Sequence, residues 1–357
     1  MRNVVWFVTV SMLVSGLCTG AAAAPPYSVT YLGTLGSQRS WARGVSNKGQ
    51  IVGFSYPATG GYHAFIWENG SMRDLGALAG GWSYAYNINE SGQIAGWSSA
   101  ANGFTHAAYW KDGSIIDVGA FGYQSSGLQD VDESGQYVGR YWGGTPGFCG
   151  FIWQNGNVTL LNTLGGLSTS PAAVNDLGHV VGQSTTASEA KRAFVWQNGT
   201  MTDLGAGDGS AASDINNSGQ VVGTLVYSPG HLHPFLWQNE TLTDLGTLGG
   251  AGGEAYGIDS SGQIVGVRYP EGGGRRAFVW QDGVVTDLNS AIPAESGWEL
   301  DIAYGINDGG QIVGYGFMGD NKVDARAFLL TPVPEPSSIL ALLCGIGGMG
   351  AMLRRRR

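Results

Sequence analysis

The feature that most constrains this chain is a repeat of about 43 residues. The stretch "INESGQIAGW", residues 88–97, returns in outline six more times. Its Gln93 aligns with Gln50, Gln136, His179, Gln220, Gln263 and Gln311, and a tryptophan follows at a fixed distance in six of the seven copies. A repeat of this length is typical of one propeller blade.

Each copy reads as four short strands. The segment "YGIDSSGQIVG" from Tyr256 predicts strand, turn and strand, because a polar residue opens the turn and a glycine three positions later accepts positive φ. The segment "RAFVWQ" predicts a third strand, and "NG" or "DG" then leads by a tight hairpin into a fourth such as "TMTDLG". We therefore interpret the recurring glycines and glutamines mainly as parts of turns.

The two ends of the repeat region complement each other. The segment "SVTYLGTLG" near the N-terminus matches the fourth-strand pattern, and the last copy, ending at "ARAFLLTP", lacks a fourth strand. We predict an all-β, seven-bladed β-propeller over residues 25–331 whose N-terminal strand completes the last blade and closes the ring. A linear β-solenoid is the competing arrangement, but it gives no reason for the complementary ends.

Residues 1–24 resemble a secretory leader. Arg2 precedes an apolar run from Val4 to Leu17, and small residues come before Pro25. A lipoprotein at Cys18 is disfavoured because Leu17 occupies the position that a small residue should hold. We therefore expect a signal peptide and export.

The C-terminal segment, residues 332–357, has three parts. Pro334, Glu335 and Pro336 come first, an apolar stretch from Ile339 to Leu353 follows, and Arg354, Arg355, Arg356 and Arg357 end the chain. The apolar stretch would be roughly 22 Å long as a helix, which is short for a bilayer core of about 30 Å. We expect a short transmembrane helix that the arginines hold in the cytoplasm, against the alternative of an incidental hydrophobic tail.

Charge and cysteine content exclude other classes. The net charge is −9, and it is more negative without the basic residues of the two ends, so we expect no nucleic-acid partner. Between the predicted leader and the tail only Cys149 remains, which excludes an intramolecular disulfide there.

Two repeat positions carry charges. His63, His106, Cys149, Arg192, His233, Arg276 and Arg326 precede the "AF" position of the third strand, and Asp74, Asp117, Leu160, Asp203, Asp244 and Asp287 occupy the fourth. We predict no metal site, because equivalent positions on different blades lie far apart around a ring. The copy with Cys149 is also the copy with Leu160, so we predict a structural pair between base and carboxylate across each hairpin, with Arg326 facing Tyr31 at the closure.

Tryptophans fall into two groups. The six repeat tryptophans are expected to pack between blades. Trp41, Trp82 and Trp298 lie in or beside the connections from fourth to first strands, where exposed rings would stack on sugars, although loop tryptophans are often packed beneath the loop. These three are our candidate ligand-stacking residues.

The motifs "HAF" at His63, "DLGTLGG" at Asp244 and "GINDGGQIVG" at Gly305 resemble the bacterial extracellular HAF-repeat family over about residues 28–331. The tail resembles a PEP-CTERM sorting signal, which is also catalogued as an ice-binding protein C-terminal domain. That resemblance implies an exosortase as partner, cleavage in a Gram-negative envelope, and delivery to the surface or an exopolysaccharide matrix. Nothing in the repeats presents the flat, threonine-rich face that ice binding would suggest.

Function is less constrained than fold. We find no nucleophile-elbow, zinc-protease, phosphate-loop or calcium-loop pattern, and therefore predict no catalytic residues and no cofactor. Our leading hypothesis is a non-enzymatic, exported interaction module that binds extracellular polysaccharide. The alternatives are a propeller enzyme acting on glycans, which carboxylates clustered at one channel mouth would favour, and a purely structural matrix component.

Overall fold

A computed structural model describes residues 26–143, 147–228, 230–319 and 321–334. Within these residues 28 strands form seven four-stranded antiparallel sheets, and each sheet is one blade of a propeller. The predicted fold is confirmed over the repeat region. The predicted leader and the predicted transmembrane helix lie outside the described residues, and no helix within them is long and apolar enough to cross a membrane.

Six blades each follow one stretch of chain, with their strands in chain order. The strands of the first three are β2 Gly36–Val45, β3 Ile51–Pro57, β4 His63–Glu68, β5 Ser71–Asp74; β6 Ser83–Ile88, β7 Ile94–Ser99, β8 Thr105–Lys111, β9 Ser114–Gly119; and β10 Ser125–Val131, β11 Tyr137–Trp142, β12 Cys149–Gln154, β13 Asn157–Leu160. Those of the next three are β14 Gly165–Val174, β15 Val180–Thr186, β16 Lys191–Gln197, β17 Thr200–Asp203; β18 Ala211–Ile215, β19 Val221–Ser228, β20 His231–Gln238, β21 Thr241–Asp244; and β22 Gly252–Ile258, β23 Ile264–Tyr269, β24 Arg276–Gln281, β25 Val284–Asp287.

The seventh blade joins the two ends of the repeat region. It contains β26 Trp298–Ile306, β27 Ile312–Met318, β28 Asn321–Pro332 and, as its outer strand, β1 Tyr27–Tyr31. Short 3₁₀ helices at Leu288–Ser290 and Ala294–Ser296 precede it. β1 runs antiparallel to β28, with Tyr27 opposite Pro332 and Tyr31 opposite Phe328. The N-terminal strand therefore completes the last blade, as predicted.

The turn between the first and second strands links each blade to the next. In the first of these turns Gly49 has a φ of 77°, and its N–H donates to the Ser46 carbonyl at 2.9 Å. The buried Asn307 uses its side-chain amide to donate to the Ser46 carbonyl at 2.8 Å, which joins the seventh blade to the first. The ring is closed, and the solenoid alternative is wrong.

The repeat contains a second recurring glycine, three residues after the aligned glutamine, as Gly53 follows Gln50. We interpreted this glycine as part of the turn, but the structure gives it a different role. Every first strand carries a β-bulge, between Ala42 and Gly44 in the first blade. The bulge brings the Trp41 carbonyl so close to Gly53 that a Cβ there would lie 2.0 Å from the oxygen. The same crowding recurs at Gly96, Gly139, Gly182, Gly223, Gly266 and Gly314. These strand glycines accommodate the bulge, so only the preceding glycine belongs to the turn.

The core lies between the blades. The phenylalanine of the "AF" motif is fully buried in six blades, as Phe65, Phe151, Phe194, Phe235, Phe278 and Phe328. Of the repeat tryptophans Trp110 is almost wholly buried and donates its indole N–H to the Leu75 carbonyl of the preceding blade at 2.9 Å. The others are half-buried against these clusters, so the phenylalanines contribute more of the core than the sequence indicated.

Candidate functional site

The propeller has two different faces, because the chain alternates direction through each blade. The turn face carries the first-to-second-strand turns, such as Ser46–Gly49, and the hairpins between third and fourth strands. The connection face carries the links from one blade's fourth strand to the next blade's first strand. Trp82 and Trp298 belong to the connection face, directly before β6 and at the start of β26, whereas Trp41 lies inside β2, opposite Phe54 of β3.

The structure separates the three tryptophans. Trp82 has 54% of its surface exposed, whereas Trp41 and Trp298 are partly buried. Trp41 stacks on Phe54 with ring centroids 4.7 Å apart, and Trp298 packs edge-on against Phe328 at 6.1 Å. Only Trp82 among the three therefore offers most of its ring to a ligand.

Trp82 is held rigidly although it is exposed. Its ring lies parallel to Tyr62 at a centroid distance of 6.0 Å. A Cβ on Gly61 would meet the indole at 1.5 Å, so the ring rests directly on that glycine's backbone. The backbone N–H of Trp82 donates to the Ser99 hydroxyl at 2.5 Å, and that hydroxyl donates to the Trp82 carbonyl at 2.9 Å.

Further aromatic side chains continue this surface. Tyr56 and Trp97 both contact the edge or face of Tyr62, with centroid distances of 5.6 and 6.0 Å. All three are partly exposed. We call Trp82, Tyr62, Tyr56 and Trp97 the aromatic platform. A sugar ring has an apolar C–H face that packs on such rings, while its hydroxyls stay hydrated.

The predicted base–carboxylate pairs support the connection face. His63 and Asp74 lie 2.8 Å apart, His106 and Asp117 3.0 Å, Arg192 and Asp203 3.0 Å, and His233 and Asp244 3.0 Å. The hairpin register is the expected one, with Phe65 opposite Asp74. Arg326 lies over the Tyr31 ring at 5.4 Å, as predicted.

The pairs also hold the connections that follow them. Asp74 accepts the Gly76 N–H at 2.7 Å, and Nε2 of His63 lies 3.1 Å from the Gly81 carbonyl oxygen. Gly81 directly precedes Trp82, so this pair positions the aromatic platform. In the fifth blade, burial acts to raise the pKa of Asp244. Hydrogen bonds from His233 and Tyr227 outweigh that effect and hold the pKa below its usual value.

One predicted pair is wrong. Arg276 does not contact Asp287 but binds Glu299 of the next blade at 2.5 Å. Asp287 instead pairs at 2.8 Å with Arg268 of β23, which is two strands away in the same blade. The connection between β25 and β26, residues 288–297, is an insert that makes the last repeat longer, and Glu299 lies just after it in β26. The Glu299 carboxylate draws Arg276 away from the hairpin, and Lys322 contacts the same carboxylate at 2.6 Å.

The channel on the propeller axis is the second concave feature. A cavity of about 450 Å³ opens at the turn face and is lined by all seven first strands. The bulged residue of each first strand lines it: Arg43, Tyr86, Gln129, Ala172, Ser213, Tyr256 and Tyr304. The repeat alignment contained a signal for this site, because these positions vary while the flanking ones recur.

Carboxylates do gather at this mouth. Glu90, Asp176 and Asp308 stand at its rim, and each accepts a backbone N–H from a neighbouring blade, at 2.5, 3.0 and 2.9 Å. Deeper inside, burial raises the pKa of Asp130 to about 7 and that of Asp214 to about 6. No group of three or more His, Cys, Asp or Glu within the described ranges is arranged to hold a metal ion.

The tail lies largely outside the described residues. Pro334 is the last of them, and Glu335, Pro336 and the four terminal arginines follow it. Residues 332–357 match the family model of the PEP-CTERM protein-sorting motif. This motif implies processing by an exosortase and marks an exported protein that is sorted to the cell surface.

Comparison with other proteins gives only distant likenesses. The sequence has no match among curated proteins. Solved structures similar to this chain include TolB of Acinetobacter baumannii (13% identity, 87% of this chain and 80% of TolB covered, TM-score 0.45) and a prolyl endopeptidase (12%, 83% and 48%, TM-score 0.48). A six-bladed lectin of Aleuria aurantia is also similar (9% identity, 73% and 95% covered, TM-score 0.41). At these identities the likeness concerns the propeller alone.

Proposed function

We propose that this exported protein is a non-enzymatic interaction module of the cell surface or extracellular matrix, and that it binds polysaccharide through the aromatic platform. We further propose that it is a HAF-repeat protein, because the three motifs occupy the same structural positions in successive blades: the third strand, the connection and the first turn.

The observation that carries the binding proposal is Trp82. A large indole that is 54% exposed keeps apolar surface in contact with water, yet Gly61, Tyr62 and Ser99 fix its orientation. Such preorganisation lowers the entropy lost when a ligand stacks on the ring. The acidic composition of the chain favours a neutral glycan over an anionic one.

The test compares Trp82→Ala with Phe104→Ala in the full chain. Phe104 is a matched control, since it is an exposed aromatic of the same blade at 44% exposure and lies outside the platform. Glycan-array screening and polysaccharide pull-down identify the ligand, and the same samples are assayed for released reducing sugar. We expect W82A to bind about tenfold more weakly, F104A to bind normally, and no sugar to be released. Equal loss of binding in both variants would contradict the platform.

A second candidate function is glycan hydrolysis in the axial channel. Asp130 and Asp214 favour it, because a carboxyl group with a raised pKa is suited to donate a proton near neutral pH. Against it, both carboxylates already accept backbone N–H groups between blades, at 2.8 Å from Val174 and 2.9 Å from Ile258. Release of reducing sugar that D130N or D214N abolishes would establish the enzyme in place of the module.

A further inference from the structure

The axial cavity has an unusual distribution of charge. Arg43 lines it from the first blade, whereas Asp130 and Asp214 line it from the third and fifth blades. In a ring of seven, the fifth blade lies nearly opposite the first, and the third lies a little more than a quarter of the way round. The positive group and the negative groups therefore lie on different sides of the channel. Arg43 is the bulged residue of its strand, and each aspartate directly follows the bulged residue of its own strand.

The Arg43 guanidinium lacks an anionic partner. No hydrogen bond or ion pair joins it to another of the described residues, and tyrosine rings take that place instead. Its central carbon lies 3.7 Å from the centre of the Tyr304 ring and 5.8 Å from those of Tyr84 and Tyr86. Ring faces stabilise the cation but leave its N–H donors without acceptors. The N–H donors of Arg43 are therefore available to an anionic group in the cavity.

The two aspartates lack a cationic partner in the same way. Asp130 accepts the Asn87 side-chain amide at 2.5 Å and the Val174 N–H at 2.8 Å, and Asp214 accepts only backbone N–H groups. A carboxylate offers about four acceptor positions, so each keeps some free toward the cavity. Burial without a counterion raises the pKa of both groups, and a bound cation would relieve that cost.

We propose that the axial cavity binds a small zwitterion of the amino-acid class, with its carboxylate on Arg43 and its ammonium group on Asp130 and Asp214. A volume of 450 Å³ corresponds to roughly 15 water molecules, which is far more than a single ion needs. The acidic rim of Glu90, Asp176 and Asp308 attracts the ammonium end toward the turn face. This site is distinct from the aromatic platform on the opposite face, and the two proposals stand or fall independently.

The experiment is calorimetric titration of the full chain with a graded series of zwitterions: glycine, β-alanine, γ-aminobutyrate and ε-aminocaproate. Butylamine and butyrate are the matched probes with a single charge. Because the two charged walls are a fixed distance apart, we expect one length of the series to bind best, and both single-charge probes to bind at least about tenfold more weakly.

Two substitutions test which residue binds each end of the zwitterion. Arg43→Met keeps the aliphatic stem between the tyrosines, and Asp214→Asn keeps the shape of the carboxyl group. Each should weaken the best zwitterion about tenfold or more, whereas Arg73→Met, an exposed arginine outside the channel, should not. Melting temperatures check that the variants fold. If R43M does not fold, D214N alone decides the test.

Three results would overturn the proposal. One is the absence of heat or thermal stabilisation with every member of the series. Another is binding of butylamine or butyrate as tight as that of the best zwitterion, which would mean a site for one charge only. The third is unchanged zwitterion binding in a folded D214N variant.

Discussion

At the residue scale, the hairpin pairs connect the repeat motif to the connection face. Asp203 accepts the Gly205 N–H at 2.8 Å and pairs with Arg192, which also reaches Asp208 in the connection that follows. The aspartate thus fixes the first turn of the connection, and the base fixes a later part of it. The sequence revealed the pairs, because Cys149 and Leu160 depart together, but gave no sign that they also hold loops.

Replacing Asp203 with alanine should lower the melting temperature by about 2 °C, because a charge-assisted hydrogen bond to backbone is lost together with the arginine contact. Leu160→Ala is the matched control, since Leu160 holds the same position in the blade that lacks the pair and is 61% exposed. Differential scanning calorimetry measures both. Identical melting temperatures for D203A and the unsubstituted protein would show that the pair contributes nothing.

Asp130 makes the stability depend on pH. Its pKa is about 7 in the folded chain and about 4 in an unfolded one, so the folded state binds the proton more tightly. Its contribution to the free energy of unfolding is complete below about pH 4 and is lost as the pH rises to about 7. The loss amounts to several kcal/mol at most.

Asp130→Asn removes this titration while keeping the size of the side chain. The difference in melting temperature between D130N and the unsubstituted protein should therefore change steadily in favour of D130N between about pH 4 and 7. Taking the difference cancels other groups, such as His179, whose pKa burial lowers. Parallel curves over that range would contradict a raised pKa at Asp130.

At the element scale, the bulge of the first strand is the unit from which the channel is built. It leaves one residue per blade out of the ladder and turns it toward the axis, while the partner glycine on the second strand makes room. The recurring glycine was visible in the sequence, but its cause was not, because a bulge changes hydrogen-bond register without changing residue pattern. The channel site was missed because its variable positions could not be recognised as bulged residues without knowing that register.

Gly53→Ala tests the bulge. The added methyl would lie 2.0 Å from the Trp41 oxygen, and backbone cannot yield as a flexible side chain does. We expect the melting temperature to fall by several degrees or the variant to be insoluble. Gly272→Ala is the control, because a Cβ there meets nothing within 4 Å. Equal stability of G53A and G272A would mean that the first strand shifts freely.

At the scale of the whole molecule, period and strand count were enough to predict seven blades and their closure. They sufficed because each blade repeats one pattern and the ends complement each other. Sequence alone could not predict which of Trp41, Trp82 and Trp298 is exposed, since the exposure of each ring depends on neighbours that only the folded chain brings together. The ion pair between Arg276 and Glu299 of the next blade could not be predicted either, because it depends on an insert that interrupts the period.

The role of β1 in closing the ring can be tested by deleting this strand and by moving it to the other end of the repeat region. Deleting residues 26–31 exposes the edge of β28 and should lower the melting temperature markedly and promote association. A permuted chain that starts at Gly36 and carries residues 27–35 after Pro332 through a short turn restores the same strand. We expect it to melt close to the original protein. A deletion variant as stable and monodisperse as the parent would show that β1 is dispensable.

The position of β28 has a mechanical consequence. This strand lies between β27 and β1, and the chain leaves it at Pro332 to enter the sorting motif. Tension applied through the tail therefore acts along an interior strand and shears two hydrogen-bonded ladders at once. An edge strand would instead peel away one bond at a time. The seventh blade therefore receives a pull on the tail through a strand that is hydrogen-bonded on both sides.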